Sequence, residues 1–183
     1  MLLNARRSHL ALIDFQERLI PAICDAEKTL RNASIILQAA LALEIPVSVS
    51  EQYPRGLGKT VEVLAEKVPE GRIFEKVAFS AFREENFYNA ICDSGRADRR
   101  QIVLAGVEAH VCVLQTAMDL LDAGYDVFMV SDAVSSRSPD SVAAAHSRFI
   151  AAGGHWITTE MAVFEWLEKA GSPQFKALSA LIK

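Results

Sequence analysis

Short β-rich runs alternate repeatedly with longer stretches of helical spacing, and this pattern constrains the chain more than any other feature. Residues 9–13 (HLALI) form the first apolar run and stop at Asp14. Residues 26–43 follow, with Leu30, Ala33, Ile36, Leu37, Ala40 and Leu41 at spacings of three and four, which puts them on one helical face. Pro46 stops that helix and residues 47–49 read as a second strand. Residues 51–59 (EQYPRGLGK) read as a loop, 61–66 as a short helix, 72–75 as a third strand ending at Lys76, and 84–92 as a helix. Gly95 and the charges after it read as a connection. Residues 101–106 (QIVLAG) are nearly all apolar, as a strand covered on both faces requires.

Residues 110–123 carry Val113, Leu114, Ala117, Leu120 and Leu121 at helical spacing, and Gly124 supplies a stop. Residues 127–130 read as a fifth strand. Ser138 and Pro139 fit the N-cap and first position of a helix running to Ala152. Gly153-Gly154 breaks that helix, and residues 155–157 read as a sixth strand. Thr158 or Thr159 caps a helix over 161–169, and Ser172-Pro173 opens a last short one. Repeated βα units with short connections predict one domain over residues 1–183: a three-layer α/β/α, Rossmann-like fold with a six-stranded, mainly parallel sheet.

Composition removes several function classes. Net charge is −4 and no basic face stands out, so nucleic acid is not an expected partner; Asp98-Arg99-Arg100 reads as a solvated loop. The longest apolar runs fall far short of the roughly 20 residues of a spanning helix, and the N-terminal pattern is not that of a signal peptide. A cytoplasmic location is expected. Three cysteines with no CxxC pair argue against a disulfide framework and against a zinc site, and no metal or other cofactor is expected.

In doubly wound sheets ligands sit at the carboxyl ends of the strands. The residues there are Asp14, Phe15 and Gln16; Ser50, Glu51 and Gln52; Lys76; Gly106 to Cys112; and Ser131 and Asp132. Singly, a strand-end Asp is ordinarily a cap, a Lys a surface charge and a Cys beside valines core filler. Together an acid, an amine and a thiol make a nucleophilic site. Cys112 lies in the first turn of a helix, where the dipole and Lys76 favour thiolate. Asp14 can take the thiol proton and return it to a leaving group, and N–H groups of the same turn can stabilise an oxyanion.

Phe15, Phe79 and Phe82 form either an apolar wall for a substrate or part of the core. Gln16 and Gln52 stand where polar substrate atoms can be met, and His110 is expected in the pocket wall. His9, His146 and His155 show no metal-ligand spacing. Cys24 and Cys92 have no charged strand-end partner and read as inert.

Asp14-Phe15-Gln16, Phe74-Glu75-Lys76 followed by residues 79–82 (FSAF), residues 106–113 (GVEAHVCV) with Gln115-Thr116-Ala117, and residues 119–137 together resemble the isochorismatase-like cysteine hydrolases over nearly the whole chain. The resemblance implies a triad of Asp14, Lys76 and Cys112 acting on a small molecule, a non-proline cis peptide at Val107–Glu108 beside the oxyanion site, and a homo-oligomer, dimeric to octameric. Nicotinamidases of the family carry an Asp-x-His metal pattern after the second strand. Here Ser50-Glu51-Gln52-Tyr53-Pro54 stands in its place, which disfavours metal assistance. Residues 51–58 look most like the isochorismatase domain-containing branch. A small amide or related C–N compound is the expected substrate. A redox-reactive thiol protein and a non-catalytic member of the family are the alternatives.

Overall fold

The computed structural model describes residues 1–92 and 99–182. Six strands form one sheet in the order β3-β2-β1-β4-β5-β6: β1 (Ser8–Ile13), β2 (Val47–Gln52), β3 (Ile73–Lys76), β4 (Gln101–Val107), β5 (Asp126–Ser135) and β6 (His155–Ile157). Every neighbouring pair is parallel. The helices are α1 (Ala26–Ala42), α2 (Pro54–Leu57), α3 (Glu62–Ala65), α4 (Glu85–Cys92), α5 (Leu114–Asp122), α6 (Pro139–Ala151), α7 (Thr159–Leu167) and α8 (Phe175–Ile182). The expected three-layer architecture is therefore present.

Alternation along the strands builds two cores. Leu10, Leu12, Val47, Val49, Val103, Phe128 and Val130 face α1, α7 and α8, whereas Ala11, Ile13, Ile102, Leu104, Val127 and Met129 face α4, α5 and α6. Each fully buried Leu, Ile, Val or Phe contributes about 1.5–3 kcal/mol. Trp166, Leu167 and Leu178 complete the first core. The Trp166 indole N–H donates to Ser8 Oγ at 2.9 Å, so the polar atom of this buried ring is satisfied.

Several boundaries moved, each for a physical reason. β2 runs on through Glu51 and Gln52, and residues 54–57 make a helical turn with Pro54 at its start, where the missing N–H costs nothing. Glu51 is buried and accepts from Thr60 N at 2.7 Å and Thr60 Oγ1 at 2.8 Å, which clamps the return of that loop. β5 continues to Ser135 because its register with β4 shifts between Leu104 and Gly106. Ser131 and Asp132 therefore lie within the strand and not after it. Asp132 Oδ1 caps α7 through Thr159 N at 2.9 Å and Thr159 Oγ1 at 2.8 Å. Thr158 is the N-cap of α7, accepting from Met161 N.

Arg99 is buried, not solvated as its charge suggested: its guanidinium donates to Ala5 O at 2.8 Å and Ser8 O at 2.7 Å. The connection expected at Gly95, and Asp98 with it, lie outside the described residues.

Candidate active site

The chain leaves β1 outward through β2 to β3 and returns on the other side of β1 to β4. The strand order thus reverses between β1 and β4, the position at which sheets of this kind take their ligands. Two backbone features shape it. Asp14 has φ 54°, a left-handed conformation that turns the chain sharply out of β1. Gly106 has φ 152°, and a Cβ there would strike the Ile13 carbonyl oxygen, so only glycine lets β4 lie this close to the end of β1. The next peptide, Val107–Glu108, is cis. A π-helical turn, Ala109–Val113, follows and runs into α5.

Asp14, Lys76 and Cys112 meet here, at 0%, 2% and 7% exposure. Asp14 Oδ2 lies 2.8 Å from Lys76 Nζ. The contact is an ion pair without an aligned hydrogen bond, so Oδ2 keeps accepting capacity. Asp14 Oδ1 accepts from Ser50 Oγ at 2.7 Å. Lys76 Nζ also donates to Gln52 Oε1 at 2.6 Å, Phe79 O at 3.0 Å and Ala78 O at 3.2 Å. The Cys112 thiol interacts with both Asp14 and Lys76. Burial pushes it up to about 12, the Asp14 charge pushes in the same direction, and Lys76 opposes both. The resting group is thus a thiol. Desolvation and the nearby carboxylate outweigh the lysine, which favours ionisation.

The elements carrying the three groups are tied to one another. Thr116 Oγ1 donates to Cys112 O at 2.7 Å and accepts from Ala81 N at 2.9 Å, joining the turn of Cys112 to the segment that follows Lys76. Glu84 Oε1 accepts from Val77 N and Ala78 N, both at 2.8 Å. Those backbone donors hold its carboxyl below the usual range. Sequence reasoning assigned neither residue a role. Thr116 was findable, since it lies one helical turn after Cys112 on the same face; Glu84 left no such signal.

The remaining expected site residues divide. His110 Nδ1 lies 3.0 Å from Ser136 Oγ, which fixes its ring. Glu108 Oε2 accepts from Arg137 Nε at 3.0 Å and Arg137 N at 3.2 Å. Burial raises this carboxyl, but the Arg137 contacts win and hold it below its ordinary value. The Gln16 carboxamide is engaged with backbone: Nε2 donates to Gln52 O and Gly58 O at 2.9 and 2.7 Å, and Oε1 accepts from Gln52 N at 2.8 Å. It is a clamp between two loops, with no group left for a substrate. Gln52 faces Lys76 instead of open space.

The three phenylalanines form no common wall. Phe15 is fully buried in the α1-side core, Phe82 packs against the opposite core beside Tyr88 and Tyr125, and Phe79 is 55% exposed. Cys24 donates to Arg137 O at 3.1 Å, and Cys92 lies 3.4 Å from Tyr125 Oη.

The family model for the isochorismatase domain matches residues 8–161. Isochorismatase domain-containing protein 2 of Xenopus laevis is 38% identical over 183 residues, covering 98% of this chain and 85% of its own. The secreted isochorismatase effector Isc1 of Phytophthora sojae is 36% identical, with 91% and 87% covered. Among solved structures, a MAR1 ribonuclease from Caenorhabditis elegans superposes with a TM-score of 0.92 at 35% identity, covering 100% of this chain and 92% of that one. YcaC of Escherichia coli, described as an octameric hydrolase of unknown specificity, gives a TM-score of 0.92 at 23% identity, with 100% and 89% covered.

Proposed function

The chain belongs to the isochorismatase-domain family, and within that hydrolase fold we propose that it is a metal-independent cysteine hydrolase of a small amide or related C–N compound. The observation that carries this reading is the Asp14–Lys76 ion pair set against the Cys112 thiol, three groups delivered by three different strand ends into one buried site.

In the proposed reaction Cys112 Sγ attacks the substrate carbonyl carbon while Asp14 Oδ2 takes its proton. The tetrahedral oxyanion faces backbone N–H groups of the turn that follows Val107–Glu108. Asp14 then returns the proton to the leaving nitrogen, the C–N bond breaks and a thioester remains on Cys112. Water, deprotonated by Asp14, attacks the thioester; the acid departs and the thiolate recovers the proton. Lys76 stabilises whichever partner carries the negative charge, the carboxylate or the sulfur. A resting thiol suits this sequence, because the proton leaves only as the S–C bond forms.

The donor chemistry at the end of β2 supports metal independence. The Glu51 carboxylate is engaged by Thr60 and Lys59, and the Gln52 carboxamide by Lys76 and Val77, so neither offers a free ligand. A net charge of −4 supports a small-molecule substrate over nucleic acid. No helix of the described residues is long and apolar enough to cross a membrane. Exposed Tyr53, Val77 and Phe79 around the Lys76 loop support a homo-oligomer, and three unpaired cysteines support residence in the cytoplasm.

A screen of small amides and carbamates with Cys112→Ala as control tests the reading. Turnover and electrophile labelling of the Cys112 peptide are both expected to vanish in the variant. Labelling confined to Cys24 or Cys92, or peptide-mapped labelling of Cys112 with no turnover across the screen, overturns it; the second outcome points to a binding member of the family.

A further inference from the structure

We propose that Gln52 is a positioning residue for Lys76: its carboxamide, standing on the strand between the lysine and Asp14, fixes where the ammonium charge sits relative to Cys112. This rests on the reading of Asp14, Lys76 and Cys112 as the reacting groups.

The geometry comes from the sheet. Lys76 ends β3 and Asp14 follows β1, so β2 runs between them. Adjacent strands lie about 4.8 Å apart, and a lysine serving Asp14 must therefore cross roughly 10 Å of sheet edge. Gln52 is the residue of β2 paired in register with Lys76, at the point the side chain has to pass. Its own backbone is held on both sides by Gln16, which accepts from Gln52 N and donates to Gln52 O. The strand end under the carboxamide is thus fixed by a second buried side chain.

The carboxamide has one orientation open to it. Nε2 donates to Val77 O at 2.8 Å and Oε1 accepts from Lys76 Nζ at 2.6 Å. Reversing the amide would turn its N–H groups on the ammonium and its oxygen on a carbonyl, two repulsive contacts in place of two attractive ones. The Val77 peptide therefore aims the Gln52 oxygen at the lysine. The ammonium has three hydrogens and four oxygens around it: Asp14, Gln52, Ala78 and Phe79. Gln52 makes the shortest of these contacts.

A neutral acceptor at this position has a chemical purpose. It holds the ammonium without cancelling its charge, leaving that charge for Asp14 and the sulfur. A carboxylate here would compete with Asp14 and add a second negative charge beside a thiol that Asp14 already opposes. The charged groups that bear on this lysine are Asp14 from β1, Cys112 from the π-helical turn and Glu84 from the segment before α4.

The experiment is the rate of iodoacetamide alkylation of Cys112 over about pH 7–10, the rising limb below the midpoint of a thiol pushed up to about 12, read by peptide mapping, in the wild type, Gln52→Met, Gln52→Glu, Lys76→Met and the Gln52→Met/Lys76→Met double variant, with melting temperatures as the folding control. Lys76→Met is expected to move the limb to higher pH, because the charge that favours sulfur ionisation is gone. Gln52→Met should slow alkylation in the wild-type background by about three- to tenfold at each pH and have no further effect once Lys76 is methionine, the non-additivity of two groups acting as one. Gln52→Glu, isosteric and a second test if the methionine variant does not fold, should slow it further than Gln52→Met. A Gln52→Met limb that overlies the wild type, an equal displacement with and without Lys76, or a Gln52→Glu rate no lower than wild type overturns the proposal. If Lys76→Met itself leaves the limb unmoved, the underlying reading of the site has failed, an outcome separate from a silent Gln52.

Discussion

Replacing Asp14 with Asn should make the Cys112 thiol easier to ionise and abolish the proposed turnover. The Cys112 thiol is held near 12 by burial first and by the Asp14 charge second, with Lys76 pulling the other way. Asn keeps the volume and the burial, removes the opposing charge and leaves the lysine in place. Two unit charges about 4 Å apart at an effective dielectric near 20 interact by about 4 kcal/mol, which caps the change at about three pH units; a fall of about one to three units is the expected range. Turnover should nonetheless fall by at least about 1000-fold, because no group remains to take and return the proton. Removing one partner of a buried pair costs about 3–5 kcal/mol. The lower end applies here, since Lys76 keeps the oxygens of Gln52, Ala78 and Phe79. The assay pairs alkylation of Cys112 across pH with turnover of a substrate from the screen and urea unfolding. A midpoint that stays put or rises, or turnover within tenfold of wild type, would refute the assignment of Asp14 as both the base and the group that opposes the thiolate.

Two further outcomes follow from other parts of the fold. His9 is buried on β1, with Nε2 3.0 Å from Ser48 Oγ, and burial first and then Arg72 and Arg99 lower it to about 3. The unfolded chain therefore binds this proton first, and stability should fall as pH drops through about 6.5 and on towards 3, by at most about 5 kcal/mol. Urea midpoints from pH 7.5 down to 4 should show that slope in the wild type and a flatter one in His9→Leu; parallel slopes would remove His9 as the cause. Gly106→Ala drives a methyl group into the Ile13 carbonyl at the junction of β1 and β4. It should cost at least about 3 kcal/mol and cut Cys112 alkylation together with the urea midpoint; a variant as stable as the wild type would show that the two strand ends can separate.

Most of the architecture was legible because the strands and helices differ in period, and both periods survive in the one-dimensional pattern. Residues 101–106 are apolar on both faces since helices cover both faces of β4, and residues 26–43 carry one apolar stripe since α1 has one side against the sheet. The failures cluster where a boundary depends on a neighbour. Residues 51 and 52 look like loop beside Pro54 and Gly56, yet they pair with β3. Ser131 and Asp132 look like the residues after β5, yet the strand, with a register shift against β4, runs five residues further, to Ser135. Arg99 reads as solvated because nothing local records that the Ala5 and Ser8 carbonyls lie within its reach.

The candidate site divides along the same line. Strand ends are local features, so Asp14, Lys76 and Cys112 could be picked out from the chain once the strands were drawn, and the order of the strands did not need to be known. What each side chain faces is a property of the strand beside it. Parallel pairing put Gln52 next to Lys76, turned Gln16 into a clamp on two backbones, and sent Phe15 and Phe82 to opposite cores. The charge state of Cys112 was decided there too. A helix N-terminus and a lysine, read along the chain, favour the thiolate. The folded site removes water and adds a carboxylate, and ionising the sulfur then costs more than those two local contributions return.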